Sequence, residues 1–400
     1  MIPKPAARKP IYLDYNSTTP MEERVFEAMK PYFLEKFGNA SSKTHSYGWD
    51  GDLGVETARK QIATAINCLP KEIFFTSGAT ESNNLAINGV ISCLRENDFG
   101  GEPIHIISTT TEHKAVIDVL KHAEKYNKNI EVTYLKCDLY GKISLDQIKA
   151  ELKPHTALVS IIFGNNEIGT LNPIQEIGTF LTGQGITFHT DAAQAFGQVA
   201  IDVQKMNIDL MSISGHKIYG PKGVGSLFVR QMPKRVRLSP ITFGGGQEKG
   251  LRPGTLNVPA IVGLGKAAEI ATQELKINNE KIQKIRDEMI LELLKIPFAQ
   301  LNGHPVNRLP NNISLTLEGI SNSQLLMDLK TLALSTGSAC TTGSTEPSHV
   351  LKALGLSDER CMSTIRIGIG RSTTAEEAQY TVRKIREVST NLKDRTYYKS

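Results

Sequence analysis

The feature that most constrains the fold of this chain is a repeated order of apolar run, polar turn and helical pattern. Four β-branched runs stop abruptly in small polar residues: "EIFFTSGAT", "IHIISTTTEH", "ALVSIIFGNNE" and "ITFHTDAAQ". A fifth segment, "IDLMSISGHKIYGPKGVGSLFVR", predicts a strand, a glycine-rich turn and another strand. This order predicts an α/β domain in which helices cover a mixed, mainly parallel sheet.

The pattern changes near residue 262. The segment "GLGKAAEIATQELKINNEKIQKIRDEMILELLK" predicts one long amphipathic helix that is stopped by Pro297. Two short strand patterns follow, "NNISLTL" and "STIRIGIG", and then a last helix opened by a capping box from Thr374 to Glu377. Because 400 residues exceed the usual size of one compact core, we expect a large domain over residues 16–262 and a smaller α+β domain over residues 1–15 and 263–400.

Composition argues against several classes of partner. The 46 Lys and Arg and 41 Asp and Glu residues are spread along the chain without a basic run, so we expect no nucleic-acid partner. No apolar stretch is long enough to span a bilayer and no secretory signal pattern is present, so we expect no membrane partner and a cytoplasmic location. The five cysteines include no C-x-x-C pair, which predicts neither a disulfide scaffold nor a metal site.

Chemically specific residues follow the predicted strands. In open α/β sheets, ligands bind beyond the carboxyl ends of the strands, so these residues should converge on one site. The helix start at "SGAT" can bind an anion, because its free N–H groups and its dipole both favour phosphate. Asp191 can hold a positive partner, and Lys217 is a candidate for covalent imine chemistry. An anion site, an acid and an imine-forming lysine together predict pyridoxal 5'-phosphate as cofactor.

The chain resembles the NifS-like cysteine desulfurases among the class V aminotransferase-related enzymes. The resemblance covers nearly the whole chain in family order, from "IYLDYNSTTP" through "FTSGATESNNLAI", "TEHKAV", "NNEIGT", "DAAQAFG", "SGHKIYGPKGVG", "GGGQEKGLRPGTLN" and "GSACTTGSTEPSHVL" to "STIRIGIGR". It implies the fold type I of pyridoxal-phosphate transferases and conversion of L-cysteine to L-alanine. It also implies that sulfur leaves as a persulfide for acceptor or iron–sulfur scaffold proteins.

The resemblance also implies roles for individual residues. The catalytic residues would be Lys217, which binds the cofactor as a Schiff base and moves protons, His113, which stacks on the ring, and Cys340, which takes up the sulfur. The cofactor would be held by Ala79, Thr80, His113, Asn166, Asp191, Gln194, Ser214, His216, Lys217 and, from the other subunit of a homodimer, Thr255. The substrate would be held by Asn166 and by Arg366, whose planar guanidinium suits a carboxylate.

Cys340 distinguishes sulfur transfer from other uses of this fold. It lies in "STGSACTTGSTEP", among small polar residues, whereas Cys68, Cys93 and Cys137 lie in or beside apolar patterns. A cysteine thiolate is a strong nucleophile, as attack on a substrate sulfur requires.

Several alternatives remain open from the sequence. A selenocysteine lyase, another class V enzyme or a catalytically silent scaffold could share these patterns. Asp191 could be a helix cap, Arg371 could take the role of Arg366, and Arg366 could pair with Glu359 instead of a substrate. We expect His189 to support the core rather than the site. The C-terminal sequence "NLKDRTYYKS" leaves the identity of the sulfur acceptor open.

Overall fold

The computed structural model describes residues 9–96, 103–233, 235–337 and 346–397. Its strands are β1 (Ile11–Tyr12), β2 (Ile73–Thr76), β3 (Ile104–Thr109), β4 (Ile130–Leu135), β5 (Thr156–Ser160), β6 (Thr187–Asp191), β7 (Leu210–Ser214), β8 (Gly225–Val229), β9 (Ala299–Asn302), β10 (Asn312–Leu317), β11 (Leu332–Ala333) and β12 (Thr364–Gly368). The first four apolar runs named above contain β2, β3, β5 and β6, the fifth segment contains both β7 and β8, and the two later patterns contain β10 and β12. Strands β1, β4, β9 and β11 are additional.

The helices are α1 (Glu23–Met29), α2 (Pro31–Leu34), α3 (Ser46–Ile66), α4 (Ala79–Glu96), α5 (Lys114–Tyr126), α6 (Leu145–Ala150), α7 (Ile174–Gln184), α8 (Val258–Gln273), α9 (Leu275–Leu293), α10 (Asn322–Asp328), α11 (His349–Ala353), α12 (Asp358–Cys361) and α13 (Ala375–Tyr397). Short 3₁₀ turns cover Pro70–Glu72, Gly215–Lys217 and Gln247–Gly250. Within the described residues, no helix is both long and apolar enough to cross a membrane.

The main sheet has seven strands in the order β2-β8-β7-β6-β5-β3-β4. Strand β8 pairs antiparallel with both of its neighbours, and the other neighbouring pairs are parallel. Every residue of β3, β7 and β8 is buried, because helices cover both faces of a parallel sheet. The predicted fold class, a mixed and mainly parallel sheet between helices, is confirmed.

Two apolar layers enclose this sheet. On one face, Val55 and Ile62 of α3 and Leu264 of α8 pack with Phe188 of the sheet. On the other face, helices α4 and α5 pack against Leu227 and its neighbours. The sheet is therefore held rigidly between helices, and the carboxyl ends of its parallel strands open toward the same edge.

A second sheet, in the antiparallel order β12-β10-β9, has its own apolar core. Helices α9 and α13 cover it, and Leu13 from the N-terminal part of the chain belongs to the same cluster. Helix α13 begins with the predicted capping box: the backbone N–H of Thr374 donates to Glu377 at 3.0 Å, and that of Glu377 donates to the Thr374 hydroxyl at 3.2 Å. The domain boundary at residue 262 remains a prediction.

The single long helix predicted between the two regions is wrong, because the chain forms two helices, α8 and α9, that meet at Glu274. Glu274 has φ −100° and ψ 5°, outside helical geometry, and its carboxylate pairs with Arg24 at 2.6 Å. The physical reason is tertiary: α8 buries its side chains beside the seven-stranded sheet, whereas α9 buries Ile285 and Met289 in the core of the second sheet. Helix α9 ends at Leu293, four residues before Pro297.

His189 lies inside the seven-stranded sheet and should make folding sensitive to acid. Its ring nitrogens contact the hydroxyls of Ser160 (2.8 Å) and Ser212 (3.1 Å), and burial, which outweighs the nearby charge of Asp191, lowers its pKa from 6.5 to about 4. Between these two pH values the unfolded state binds a proton that the folded state does not, so the contribution is complete above 6.5 and is lost as the pH falls toward 4.

We predict that His189→Gln removes this pH dependence. The stability difference from the parent enzyme should change by roughly 3 kcal/mol between pH 7 and pH 4, since one pKa unit corresponds to about 1.4 kcal/mol. Thermal unfolding of the variant and the parent across this pH range measures the difference in stability. His122→Gln, on the exposed side of α5, is the control. If the stability of His189→Gln depends on pH in the same way as that of the parent, folding does not lower the pKa of His189.

Candidate active site

A cavity of about 370 Å³ lies where the strands of the main sheet end. The predicted site residues that line it are Ala79, Thr80, His113, Asn166, Asp191, Gln194, Ser214, His216, Lys217 and Arg366. They come from five strand ends and from strand β12 of the second sheet. Thr255 is exposed and does not line the cavity, and Cys340 lies outside the described residues.

Lys217 enters the cavity from the 3₁₀ turn Gly215–Lys217, directly after β7. The turn requires glycine at its first position, because a Cβ on Gly215 would lie 2.9 Å from the carbonyl oxygen of Pro221. The Lys217 Nζ donates to the carbonyl oxygens of Asn16 (2.6 Å) and Ser17 (2.7 Å). A second lysine, Lys222, also lines the cavity, so the site holds two primary amines rather than one.

Asp191 ends strand β6 and is only 4% exposed. Its carboxylate accepts hydrogen bonds from the Asn83 side chain at 2.7 Å and from the Ala193 N–H at 2.9 Å. Among the described residues, no lysine or arginine lies within 4.0 Å of this carboxylate. The two hydrogen bonds offset part of the cost of burying this carboxylate, and a cationic partner would offset more, so the position fits the protonated ring nitrogen of pyridoxal phosphate.

A second carboxylate, Glu112, is completely buried near Asp191. It accepts the Ile162 N–H at 2.6 Å and the Thr109 hydroxyl at 3.2 Å. Burial, opposed by the Ile162 hydrogen bond and reinforced by the charge of Asp191, raises the pKa of Glu112 well above its usual value. Burial thus disfavours the charged form of Glu112 beside Asp191.

His113 caps the N-terminus of α5, directly after Glu112. Its Nδ1 accepts the backbone N–H of Ala115 at 3.1 Å, so the proton of the neutral ring sits on Nε2. This cap fixes the orientation of the imidazole at the cavity wall.

The opposite wall has the properties of an anion cradle. Helix α4 begins at Ala79, and its first N–H groups and its dipole point toward the cavity. Gly225 of the neighbouring strand must lack a side chain, because a Cβ there would lie 2.7 Å from the Cα of Gly78. The one acidic side chain on this helix turn, Glu81, is paired with Arg252 at 2.8 Å, and this pairing and the Ser77 N–H lower its pKa although burial acts in the opposite direction.

His216 contributes a neutral ring to this cradle. Its Nδ1 contacts the Thr18 hydroxyl at 3.1 Å. Burial, with the positive charges of Lys217 and Lys222, lowers the pKa of His216 to about 4. The ring is therefore uncharged at pH 7, so the positive charges available to an anion here belong to the lysines and to the helix end.

Arg366 reaches the cavity from strand β12 and is 2% exposed. Its Nη2 donates to Asp14 (3.0 Å) and to the Ser17 hydroxyl (2.6 Å), and its Nη1 donates to the carbonyl oxygen of Asn166 (3.0 Å). Its Nε is buried without a hydrogen-bond partner among the described residues. The sequence left Glu359 open as an alternative carboxylate partner of Arg366, but the carboxylate that pairs with Arg366 in the structure is Asp14.

The alternative arginine, Arg371, does not line the cavity. It stacks on the ring of Tyr219 with 4.4 Å between the guanidinium carbon and the ring centre, and its closest carboxylate contact is Glu22 at 4.0 Å. Of the two arginines, Arg366 is therefore the one that a substrate in the cavity can meet.

Three supporting residues were not predicted. Asn16 and Ser17 line the cavity: the Gln194 side chain donates to the Asn16 carbonyl oxygen at 2.8 Å, and Arg366 donates to the Ser17 hydroxyl. Asn83, on α4, donates to the Asp191 carboxylate from behind the cavity wall. Asn16 and Ser17 belong to the "IYLDYNSTTP" segment, which follows no strand of the main sheet, so the argument from strand ends could not find them.

Comparisons with known proteins agree with this geometry. The aminotransferase class-V family model matches residues 11–381. The mitosomal cysteine desulfurase of Trachipleistophora hominis is 49% identical over 96% of this chain and 89% of its own length. A solved structure described as a NifS-like protein is 34% identical with a TM-score of 0.87, covering 96% of this chain and all of its own. Another, described as SspA in complex with cysteine, is 36% identical with a TM-score of 0.78, covering 91% of this chain and all of its own.

These matches confirm the predicted family and its cofactor, because enzymes of this family depend on pyridoxal phosphate. The observations on Asp191, Lys217 and the start of α4 are compatible with that cofactor. By its family match and its relatives, the chain belongs to the class V aminotransferases, within the group of cysteine desulfurases.

Proposed function

We propose that this chain is a pyridoxal-phosphate-dependent cysteine desulfurase that converts L-cysteine to L-alanine and carries the sulfur as a persulfide on Cys340. The observation that carries the proposal is the arrangement of one cavity. It presents a lysine amine, a buried carboxylate without a cationic partner, and an arginine with an unpartnered Nε. These groups match an aldehyde cofactor, its ring nitrogen and the carboxylate of an amino acid.

In this proposal the cofactor lies between the start of α4 and Asp191. Ala79, Thr80, Ser214 and His216 hold its phosphate, and Gln194 lies near its ring hydroxyl. Lys217 binds it covalently and moves a proton at the substrate carbon. When bound, the cofactor withdraws electrons from that carbon.

The substrate carboxylate binds Arg366, with Asn166 beside it. Asp14 and the carbonyl oxygen of Asn166 already orient the guanidinium, so little side-chain entropy is lost on binding. His113, fixed by its cap on Ala115, stacks on the ring and is placed to exchange a proton through Nε2.

The sulfur then passes to Cys340. The Cys340 sulfur bonds to the substrate sulfur while the bond between that sulfur and its carbon breaks. The electron pair of the broken bond stays on the carbon, which takes up a proton and leaves as alanine. One thiol and L-cysteine thus yield one persulfide and L-alanine, without an external oxidant. Sulfur-acceptor or iron–sulfur scaffold proteins then take the persulfide sulfur.

The proposal includes a homodimer in which Thr255 reaches the phosphate of the other subunit. Thr255 is exposed, and the segment that bears it borders a cavity of about 910 Å³ beside α3. Large apolar side chains lie exposed around α2 and α3, among them Leu34 (79%), Phe37 (64%) and Trp49 (57%). Several large apolar side chains exposed on neighbouring elements are typical of an interface between subunits.

The compartment is also part of the proposal. Cys68, Cys137 and Cys361 are free thiols in the described part of the chain, which favours a reducing compartment such as the cytoplasm. Fractionation of cells that express the tagged protein at its natural level decides between the cytoplasm and an organelle, such as the mitosome named for one relative.

We predict that Lys217→Ala abolishes desulfuration, with a loss of at least about a thousandfold, because Lys217 follows the end of β7, whereas Lys222, the other lysine at the cavity, does not lie at a strand end. Borohydride reduction and peptide mapping should label Lys217 in the parent enzyme and nothing in the variant. The matched control is Lys222→Ala, since Lys222 lines the same cavity and should leave the label on Lys217. A label on Lys222 in the parent enzyme would show that Lys222, and not Lys217, binds the cofactor.

Cys340→Ala should separate sulfur transfer from cofactor chemistry. We expect the variant to keep the visible absorption band of the cofactor and its response to L-cysteine, while alanine release falls at least about a hundredfold. Cys68→Ala is the control, because burial, followed by the charge of Glu72, raises the pKa of the Cys68 thiol and keeps it unreactive. If Cys340→Ala releases alanine at the parent rate, a selenocysteine lyase becomes the better assignment.

The double variant Leu34→Glu, Phe37→Glu should be monomeric, because it places two charges on the proposed interface. We expect its dimer dissociation constant to rise at least about a hundredfold and its affinity for pyridoxal phosphate to fall with it. Sedimentation and cofactor titration measure the two effects. Ile277→Glu on α9, whose side chain is 72% exposed, is the control. A dimeric double variant would exclude this surface as the interface.

A further inference from the structure

Glu167 is a buried carboxylate at the cavity edge with no role in the chemistry above. It is 5% exposed and follows Asn166, whose carbonyl oxygen binds Arg366. Its own N–H donates to the Asn165 side chain at 2.8 Å, so the turn that carries it is held in one conformation. The Oε2 of Glu167 accepts the hydroxyl of Ser348 at 2.5 Å.

The same oxygen also meets Gly337. A Cβ on Gly337 would lie 2.6 Å from the Oε2 of Glu167, a distance that real Cβ atoms do not show. Gly337 therefore lies against the carboxylate, and a side chain at this position would have to displace the end of the Glu167 side chain. In the sequence, Gly337 precedes residues 338–345 and Ser348 follows them. Both flanks of that segment therefore lie against one oxygen atom of Glu167.

Each flank is also tied to the substrate side of the cavity. Before the segment, Ser335 pairs with Arg366 through two backbone hydrogen bonds (2.7 and 3.4 Å), and its hydroxyl donates to Asp14 at 2.8 Å. After the segment, Ser348 caps α11, and the His349 ring nitrogen Nε2 contacts the carbonyl oxygen of Glu112 at 2.9 Å.

We propose that Glu167 is a positioning residue that holds the two flanks of the Cys340-bearing segment together beside Asn166 and Arg366. The role rests on the proposed function, because it matters only if Cys340 must reach the substrate sulfur. Cys340 is three residues after Gly337, and three residues of chain extend at most about 11 Å. Fixing Gly337 at the cavity edge thus limits the volume that the thiol searches before it meets the substrate.

The test uses the holoenzyme and two variants that break the contact from opposite sides, Glu167→Ala and Ser348→Ala. In both, we expect the rate of persulfide formation on Cys340 in a single turnover to fall about tenfold to a hundredfold, because Glu167 and Ser348 no longer tie the flank of the segment to the turn beside Asn166. The absorption band of the cofactor and the KM for L-cysteine should stay within about twofold of the parent, because neither variant removes a group that touches cofactor or substrate.

Two further variants make the test specific. Glu167→Gln keeps a carbonyl oxygen that can accept the Ser348 hydroxyl, so it should restore the rate to within about threefold of the parent. Ser357→Ala is the matched control for Ser348→Ala, since Ser357 is also a serine N-cap, that of α12, but does not contact Glu167. It should leave the rate of persulfide formation unchanged.

The results distinguish this role from the proposed function. Parent rates in Glu167→Ala and Ser348→Ala, alongside an inactive Cys340→Ala, would overturn the positioning role alone. A rise in KM that matches the loss of rate would also overturn it, because Glu167 would then act through Asn166 and Arg366 on the substrate. An active Cys340→Ala enzyme would overturn the proposed function itself, and the positioning role with it.

Discussion

The rest of the structure depends on the way in which residues 13–19 cross between the two sheets. On one side, the Gly368 N–H donates to the Leu13 carbonyl oxygen at 2.7 Å, which joins the crossing segment to strand β12. On the other side, the Thr19 N–H donates to the His216 carbonyl oxygen at 3.0 Å, next to Lys217. The close contact between the crossing segment and β12 requires glycine at position 368, because a Cβ on Gly368 would lie 2.7 Å from the backbone nitrogen of Tyr15. The crossing segment thus links Arg366, in β12 of the second sheet, to Lys217, after β7 of the main sheet, at one cavity.

The crossing segment also organises the charges of the site. Asp14 neutralises Arg366, and the carbonyl oxygens of Asn16 and Ser17 receive the lysine amine. Burial raises the pKa of Glu112, and it lowers the pKa values of His189 and His216 to about 4. The buried carboxylate of Asp191 faces the cavity, and a cationic ring nitrogen would be favoured beside it.

Much of the site could be predicted from the sequence, because parallel strands bring their carboxyl ends to one edge. This rule alone places Thr80, His113, Asn166, Asp191 and Lys217 near one another, and the structure brings them to one cavity. It fails for Asn16 and Ser17, which lie beyond a two-residue strand of another sheet, and for Asn83, which is inside a helix. The helix break at Glu274 was also out of reach, because nothing in "TQELKIN" disrupts a helix and the break arises where the chain passes from one core to the other.

The sequence by itself determined the fold class, the family and the residues that end each strand of the main sheet. These follow from local periodicity, from turn residues and from motifs that occur in one order along the chain. Only the tertiary structure decided that Asp14, rather than Glu359, pairs with Arg366, that Arg371 stacks on Tyr219 away from the cavity, and that one oxygen of Glu167 meets both Gly337 and Ser348. The reason is that these contacts join residues between about 150 and 350 positions apart, and no periodic pattern records which distant side chains packing brings together.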